Sequence, residues 1–192
     1  MRRSAAGKGA VMGKLIISTQ LTVDGVITTD KWYIHEGDHE PVGFDQLVAA
    51  EAVLLGRKTF VGLAEYWAPL SGEKWADEIN RTPKFVASRT LTEPLGWNAT
   101  LIGGDVADGV AKLKTQLDGD LLMYGCGGLA RHLVEHGLVD ELRFWVHPAV
   151  WGPGERPFLD GDPVPLRLVT ATPYDSGVTL LRYQPAERRH QD

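Results

Sequence analysis

Short apolar runs, each closed by a glycine or polar turn and followed by an amphipathic stretch, recur from about residue 14 to residue 184. Lys14 to Ser18 (KLIIS) reads as a first strand that runs on through Thr19 to Val23, and Asp24-Gly25 marks a turn. From Asp24 to Pro41 no period holds, so a long irregular loop is predicted there, carrying Trp32, Tyr33, His35 and His39. Loops of this length in a compact domain are often functional. Phe44, Leu47, Val48 and Glu51 predict a helix with Asp45 near its start, and Ala52 to Leu55 a buried strand that breaks at Gly56. Gly56-Arg57-Lys58-Thr59 then opens a helix toward Tyr66. Lys84 to Ser88 and Thr100 to Ile102 are further strands. Asp105 reads as the N-cap of a helix whose stripe is Val106, Val110, Leu113 and Leu117.

The stretch from Asp120 to Leu142 carries the clearest pattern. Leu121, Leu122, Met123 and Tyr124 suit a buried strand; Gly125, Gly127 and Gly128 crowd around Cys126; Leu129, Ala130, Leu133, Val134 and Leu138 recur at helical spacing. Strand, glycine turn and helix in this order suit an anion, because the free N–H groups and dipole of the helix start face the turn. Gly125-x-Gly127-x-x-Ala130 also matches a loose dinucleotide fingerprint. A Rossmann unit, however, wants an acidic residue ending the next strand. Here Glu141 to His147 ends in His147-Pro148, so the anion site is kept and the Rossmann fold dropped. Leu166 to Thr172 and Val178 to Tyr183 close the chain as a hairpin. Strands alternate with helices through about residue 147 and then helices stop. That order predicts a mostly parallel sheet with helices on both faces and an antiparallel edge.

Composition narrows the class. A chain of 192 residues with 43% hydrophobic and 23% charged content is an ordinary globular chain long enough for one sizeable core. A net charge of −5 argues against nucleic acid, and no apolar run approaches membrane-spanning length. One cysteine excludes an intrachain disulfide and suits a reducing cytoplasm. Residues 1–11 read as a flexible leader, 12–186 as a single domain and 187–192 as a charged tail. Neither His132 with His136 nor the group His35, Glu36, Asp38 and His39 has a zinc-protease pattern; both read as solvated polar surface, and no metal is expected.

Three predicted strand ends carry chemistry: Gly56-Arg57-Lys58-Thr59, Ser88-Arg89-Thr90 and Gly125-Cys126-Gly127-Gly128. Carboxyl ends of parallel strands share one rim, where ligands bind. Two helix starts, three cations and three hydroxyl residues on one rim suit a ligand with several phosphates.

On LTVDGVI (21–27), LLGRKTF (54–60), VASRTL (86–91), MYGCGGLARHLVEHGLVDEL (123–142) and HPAVWGPGERPF (147–158), the chain resembles the dihydrofolate-reductase-like superfamily. The nearest branch is the reductase domain related to riboflavin-biosynthesis reductases. The resemblance implies an α/β three-layer fold with a mixed sheet of about eight strands and NADPH as hydride donor. Carried over by position, Gly56, Arg57, Lys58 and Thr59 would hold the cofactor phosphates, and Ser88 and Arg89 the adenosine 2′-phosphate. Gly125, Cys126, Gly127, Gly128 and Leu129 would lie along the pyrophosphate and nicotinamide. Asp24, Gly25 and Val26 would form the loop beside it. Folate reductases place a carboxylate on the first helix; Asp45 is the candidate, although it stands only 11 residues before Gly56. Cys126 departs from the small or hydroxyl residue expected there, and without a partnered His it is not read as a nucleophile. The expectation is a cytoplasmic NADPH-dependent reductase of a small C=O or C=N compound. A riboflavin-pathway reductase, a dihydrofolate reductase or a non-catalytic nucleotide-binding module are the alternatives. A homodimer is expected, with Trp145 facing outward from a late strand and Trp151 as candidate anchors.

Overall fold

The computed structural model describes residues 12–28, 31–158 and 161–186; the leader and charged tail expected from the sequence lie outside the described residues. Eight strands form one sheet: β1 (Leu15–Thr22), β2 (Ala50–Gly56), β3 (Lys84–Ala87), β4 (Ala99–Leu101), β5 (Asp120–Tyr124), β6 (Glu141–His147), β7 (Leu166–Pro173) and β8 (Thr179–Pro185). Their order across the sheet is β4-β3-β2-β5-β1-β6-β8-β7. Every pairing from β4 to β6 is parallel, and β8 joins β6 and β7 antiparallel.

The apolar runs are continuous because the central strands are covered on both faces. Leu15 and Ile17, Leu54, Leu121, Met123 and Leu142 point to one side, against α4 (Val106–Gln116) and α5 (Gly128–Glu135). Ile16, Val53, Leu55 and Leu122 alternate to the other side. There they meet α1 (Glu40–Val48), α2 (Arg57–Trp67) and α3 (Lys74–Arg81). The three-layer fold and its antiparallel edge are those expected.

Several local expectations are corrected. The first helix starts at Glu40, within the stretch read as loop, with Pro41 in its first turn, where a missing N–H costs nothing. It ends at Val48, so Glu51 belongs to β2, with its carboxylate accepting from Gly119 N. Helix α3 was not read from the sequence; its apolar face is only Trp75, Ala76 and Ile79, too short a stripe to stand out. Trp145 does not face solvent. It is 1% exposed, because β6 is an inner strand covered by the 31–39 loop and the β7–β8 turn. Its indole N–H donates to Ser18 Oγ (3.1 Å).

Candidate active site

The carboxyl ends of β3, β2, β5 and β1 are neighbours in the sheet, so the predicted clusters meet on one rim. Gly56 ends β2 and caps α2; Gly125 to Gly127 follow β5, with Gly127 capping α5. Neither cap has a side chain to satisfy the first-turn N–H groups, whereas Asp105 caps α4 by accepting from Asp108 N (3.1 Å). Those two helix starts therefore leave backbone donors for something else. The two turns also interlock. Gly125 has φ +92°, and a Cβ on it would stand 2.8 Å from Thr59 Oγ1; a Cβ on Gly56 would meet Leu129 at 3.7 Å. Above Gly127 and Gly128 an added Cβ would meet nothing within 4 Å, so the turn is open on the ligand side.

Arg57, Lys58 and Arg89 are exposed beside this cradle. Arg57 Nη1 reaches Thr90 Oγ1 (3.3 Å), tying the α2 start to the turn after β3. Ser88 Oγ accepts from Thr90 N (3.2 Å) and Leu91 N (3.0 Å), which shapes that turn and leaves its hydroxyl proton available. The residues therefore fit a polyphosphate: open backbone donors, cations and glycines that allow close approach.

Asp24 sits elsewhere in the scheme. Its carboxylate accepts from Thr22 Oγ1 (2.6 Å), Trp151 N (2.9 Å) and Gly152 N (2.8 Å), which holds its pKa far below the usual carboxylate range. Arg156 Nε donates to the Asp24 carbonyl (3.0 Å), and Val23 N and Ile27 N donate to Ala149 O and Glu155 O. The 23–27 loop, with Gly25 at φ +84°, is thus strapped to the 149–156 loop. Cys126 is 1% exposed, and burial pushes its thiol up to about 12, with Thr19 as its hydrogen-bonding neighbour; it packs beneath the turn rather than on it.

Asp45 is exposed on α1 and is not brought to the rim; its neighbour Gln46 turns inward instead. Gln46 Nε2 donates to Ser18 Oγ (2.8 Å) and Gln46 Oε1 accepts from Arg143 (3.3 Å). This side of the sheet carries a polar wall the sequence reading missed. Ser18 lies level with Tyr124 and Arg143, Gln20 with Trp145, and Thr22 with His147. Its only sequence trace is the period-two polar set Ser18, Gln20 and Thr22 in β1. His147 is fully buried. Its Nδ1 accepts from Ile34 N (3.1 Å), so Nε2 carries the proton and donates to Gln20 Oε1 (2.8 Å). Burial, with His39 and His35 nearby, lowers its pKa to about 4. Glu141 is held by Arg143 (2.6 Å) and Arg182 (2.8 and 2.9 Å). Asp38 and His39, read as solvated, staple the loop instead. Asp38 accepts from Asp175 N (2.8 Å) and Ser176 N (3.2 Å), while His39 bonds Ile34 O and Ser176 Oγ. No cluster of His, Cys, Asp and Glu able to hold a metal occurs among the described residues.

A mostly parallel, doubly covered sheet with phosphate-fitting turns at the carboxyl ends of β2 and β5 defines a dihydrofolate-reductase-like α/β protein. Comparison with known proteins refines this: residues 13–180 match the model of the RibD C-terminal domain, and the chain belongs to that family. It is 30% identical to the uncharacterized protein YyaP of Bacillus subtilis over 88% of this chain and 94% of YyaP. Among solved structures it resembles a putative riboflavin biosynthesis protein from Shewanella sp. PV-4 (TM-score 0.71, 19% identity, 91% of this chain and 99% of that one). A deaminase/5-amino-6-(5-phosphoribosylamino)uracil reductase from Thermotoga maritima matches with TM-score 0.63 and 15% identity, over 91% of this chain and 57% of that one. Family membership supports a reductase role. No helix among the described residues is long and apolar enough to cross a membrane.

Proposed function

We propose that this chain is an NADPH-dependent reductase acting in the cytoplasm on a small compound with a polarised C=O or C=N bond. The observation that carries the reading is the pair of uncapped helix starts, α2 and α5, side by side on one rim with Arg57, Lys58 and Arg89 around them. Gly56, Arg57, Lys58 and Thr59, with Gly125, Gly127, Gly128 and Leu129, would hold the pyrophosphate. Arg89 and the Ser88 hydroxyl would meet the 2′-phosphate, and Arg57 stands close enough to share it. Asp24, Gly25 and Cys126 shape this site from behind: Asp24 fixes the loop, and Cys126 underpins the glycine turn. Bound there, NADPH supplies the hydride; the chain supplies binding, orientation and exclusion of water. The test is calorimetric titration with NADPH and NADH, followed by NADPH absorbance with a panel of carbonyl, imine and pterin compounds. Tight NADPH binding with consumption by a carbonyl or imine supports the reading. Binding without any consumption supports a nucleotide-binding module.

The riboflavin-pathway reductase is the second reading, favoured by the likeness to the Thermotoga maritima deaminase/reductase. Against a phosphorylated substrate stands the polar wall. Arg143 and Arg182 there are both engaged by the single Glu141 carboxylate, and Ser18, Gln20 and Gln46 are uncharged, so at most one positive charge is left to meet a phosphate. Efficient dihydrofolate reduction is not expected, since Asp45 faces solvent and Glu40 of the same helix is engaged by Lys74 and Trp75. A homodimer belongs to the reading, with the fully exposed edge strand β7 in place of Trp145 as its surface.

A further inference from the structure

Reduction of a C=O or C=N bond needs a proton as well as a hydride, and the acids along the rim and the polar wall are already committed, Glu155 to Lys58 among them. Glu40 is paired with Lys74 and Trp75, and Glu141 with two arginines. Asp24 spends both oxygens on Thr22, Trp151 and Gly152. His147 is buried, neutral, and uses both ring nitrogens within the protein. Three phenols remain among the described residues along this wall; Tyr174 stacks on Trp145 of β6, two strands from the glycine turn after β5, which leaves Tyr124 and Tyr33. Tyr124 is the last residue of β5, directly before Gly125, and lies level with Ser18 on one side and Leu55 on the other. It packs with the α1-side cluster and has Gln46 as its hydrogen-bonding neighbour, yet it is only half-buried. Tyr33 hangs over the wall from the 31–39 loop, its ring 4.8 Å from His147 and 4.5 Å from His35. The two phenols are close enough for charge on Tyr33 to raise the pKa of Tyr124.

The position matters because of the chain path. From β1 the chain crosses by α1 on one face to β2, and from β5 by α5 on the other face to β6. A crevice therefore opens at the carboxyl ends of the adjacent strands β1 and β5, where connections diverge to opposite faces. Tyr124 and the glycine turn lie at that opening.

We propose that Tyr124 is the catalytic proton donor of this reductase, with Tyr33 as a second phenol that positions the substrate heteroatom. The inference rests on the reductase reading above. As the hydride, supplied by a dihydronicotinamide, bonds to the substrate carbon, the π electron pair moves onto oxygen or nitrogen. That atom takes the Tyr124 hydroxyl proton, and water then reprotonates the phenolate, with exposed His35 beside Tyr33 as the way in. Burial raises the pKa of both phenols, so they stay protonated donors at neutral pH, and a phenolate once formed regains its proton readily. A phenol that donates to a developing oxyanion is an established source of rate.

The test uses the full chain saturated with NADP⁺ and titrated with para-nitrophenolate, an oxyanion whose absorbance reports hydrogen bonding and protonation. Wild type is expected to bind it, and Tyr124→Phe to bind about 10–100-fold more weakly, the worth of one hydrogen bond to a charge. NADP⁺ affinity and thermal midpoint should stay within experimental scatter. With NADPH and para-nitrobenzaldehyde, Tyr124→Phe should lose roughly 10²–10⁴-fold in kcat, and Tyr33→Phe less, with KM rising. Unchanged nitrophenolate binding in Tyr124→Phe, or no binding by the NADP⁺-loaded wild type, overturns the proposal while leaving the reductase reading intact. Failure of NADP⁺ itself to bind overturns the reading first. Should Tyr124→Phe unfold, Gln46→Leu, which leaves the phenol in place but removes its neighbour, must shift the bound nitrophenol's apparent pKa; no shift overturns the assignment.

Discussion

Arg89 stands exposed directly after Ser88 at the end of β3, with no ion-pair partner among the described residues. Arg57, at the start of α2, is tied to Thr90, the residue after Arg89. Arg89→Ala is expected to remove most of a preference for NADPH over NADH. A charged hydrogen bond is worth roughly 1.5–3 kcal/mol, about one to two decades in affinity. Calorimetry with both cofactors measures it, and equal binding of the two by wild type refutes it. Asp24 acts differently, through the amides of Trp151 and Gly152. Asp24→Ala should speed hydrogen exchange at those two amides and loosen the 149–156 loop while Ala130 and Leu133 in α5 stay protected. Lys84 is a third case: 1% exposed, it donates to Ile79 O and Thr82 O and lies 4.3 Å over the Trp97 ring. Burial lowers its pKa to about 8, and it closes the end of α3 rather than serving any ligand.

The glycine turn between β5 and α5 gives two glycines opposite duties. Gly125 needs φ +92° and close contact with Thr59, so a side chain there strains the turn itself. Gly127 has φ −85° and open space around its missing Cβ. Gly127→Val is therefore expected to fold with a thermal midpoint near wild type and to lose NADPH binding. Gly125→Val should lose several degrees of thermal stability as well. Circular-dichroism melts and calorimetry on both variants separate the roles, and a Gly127→Val chain that unfolds returns the turn to a purely packing function. The starts of α2 and α5 carry no side-chain cap, which leaves their first-turn N–H groups free to meet a ligand on the rim.

Across the whole molecule, the 31–39 loop is pinned to the sheet by His147, and this makes stability sensitive to acid. The folded pKa of about 4 lies below the ordinary 6.5, so the unfolded chain binds the proton first as pH falls. The contribution is fully present above about pH 6.5 and is lost as the pH falls toward 4. At about 1.4 kcal/mol per pKa unit, the full loss is about 3 kcal/mol. Urea midpoints for wild type and His147→Gln at neutral pH and near pH 4.5 check this: the fall should be distinctly smaller in the variant. The sheet also leaves β7 exposed along its length, including Leu168 at 49% and Val169 at 38%. Exposed edges invite pairing. Light scattering at micromolar concentration should give a dimer mass for wild type and a monomer for Leu168→Lys.

The sequence by itself determined the parallel core, the antiparallel close and the rim. Runs such as Val53 to Leu55 and Leu121 to Met123, short and closed by glycine turns, suit strands buried on both faces. Glycines next to strand ends mark backbone approach whatever the fold around them. Cations set beside those glycines, Arg57 and Arg89 among them, were legible for the same reason. The first helix was mistimed because Glu40 and Pro41 look like loop residues until they stand in a first turn. Trp145 read as exposed because alternation tells which residues share a face, but not whether a distant loop covers that face. Only the tertiary structure decided that Asp24, Asp38 and Glu141 are spent on internal partners. It alone set Tyr33 against His147, since a long-range meeting of loop and strand leaves no period in the chain.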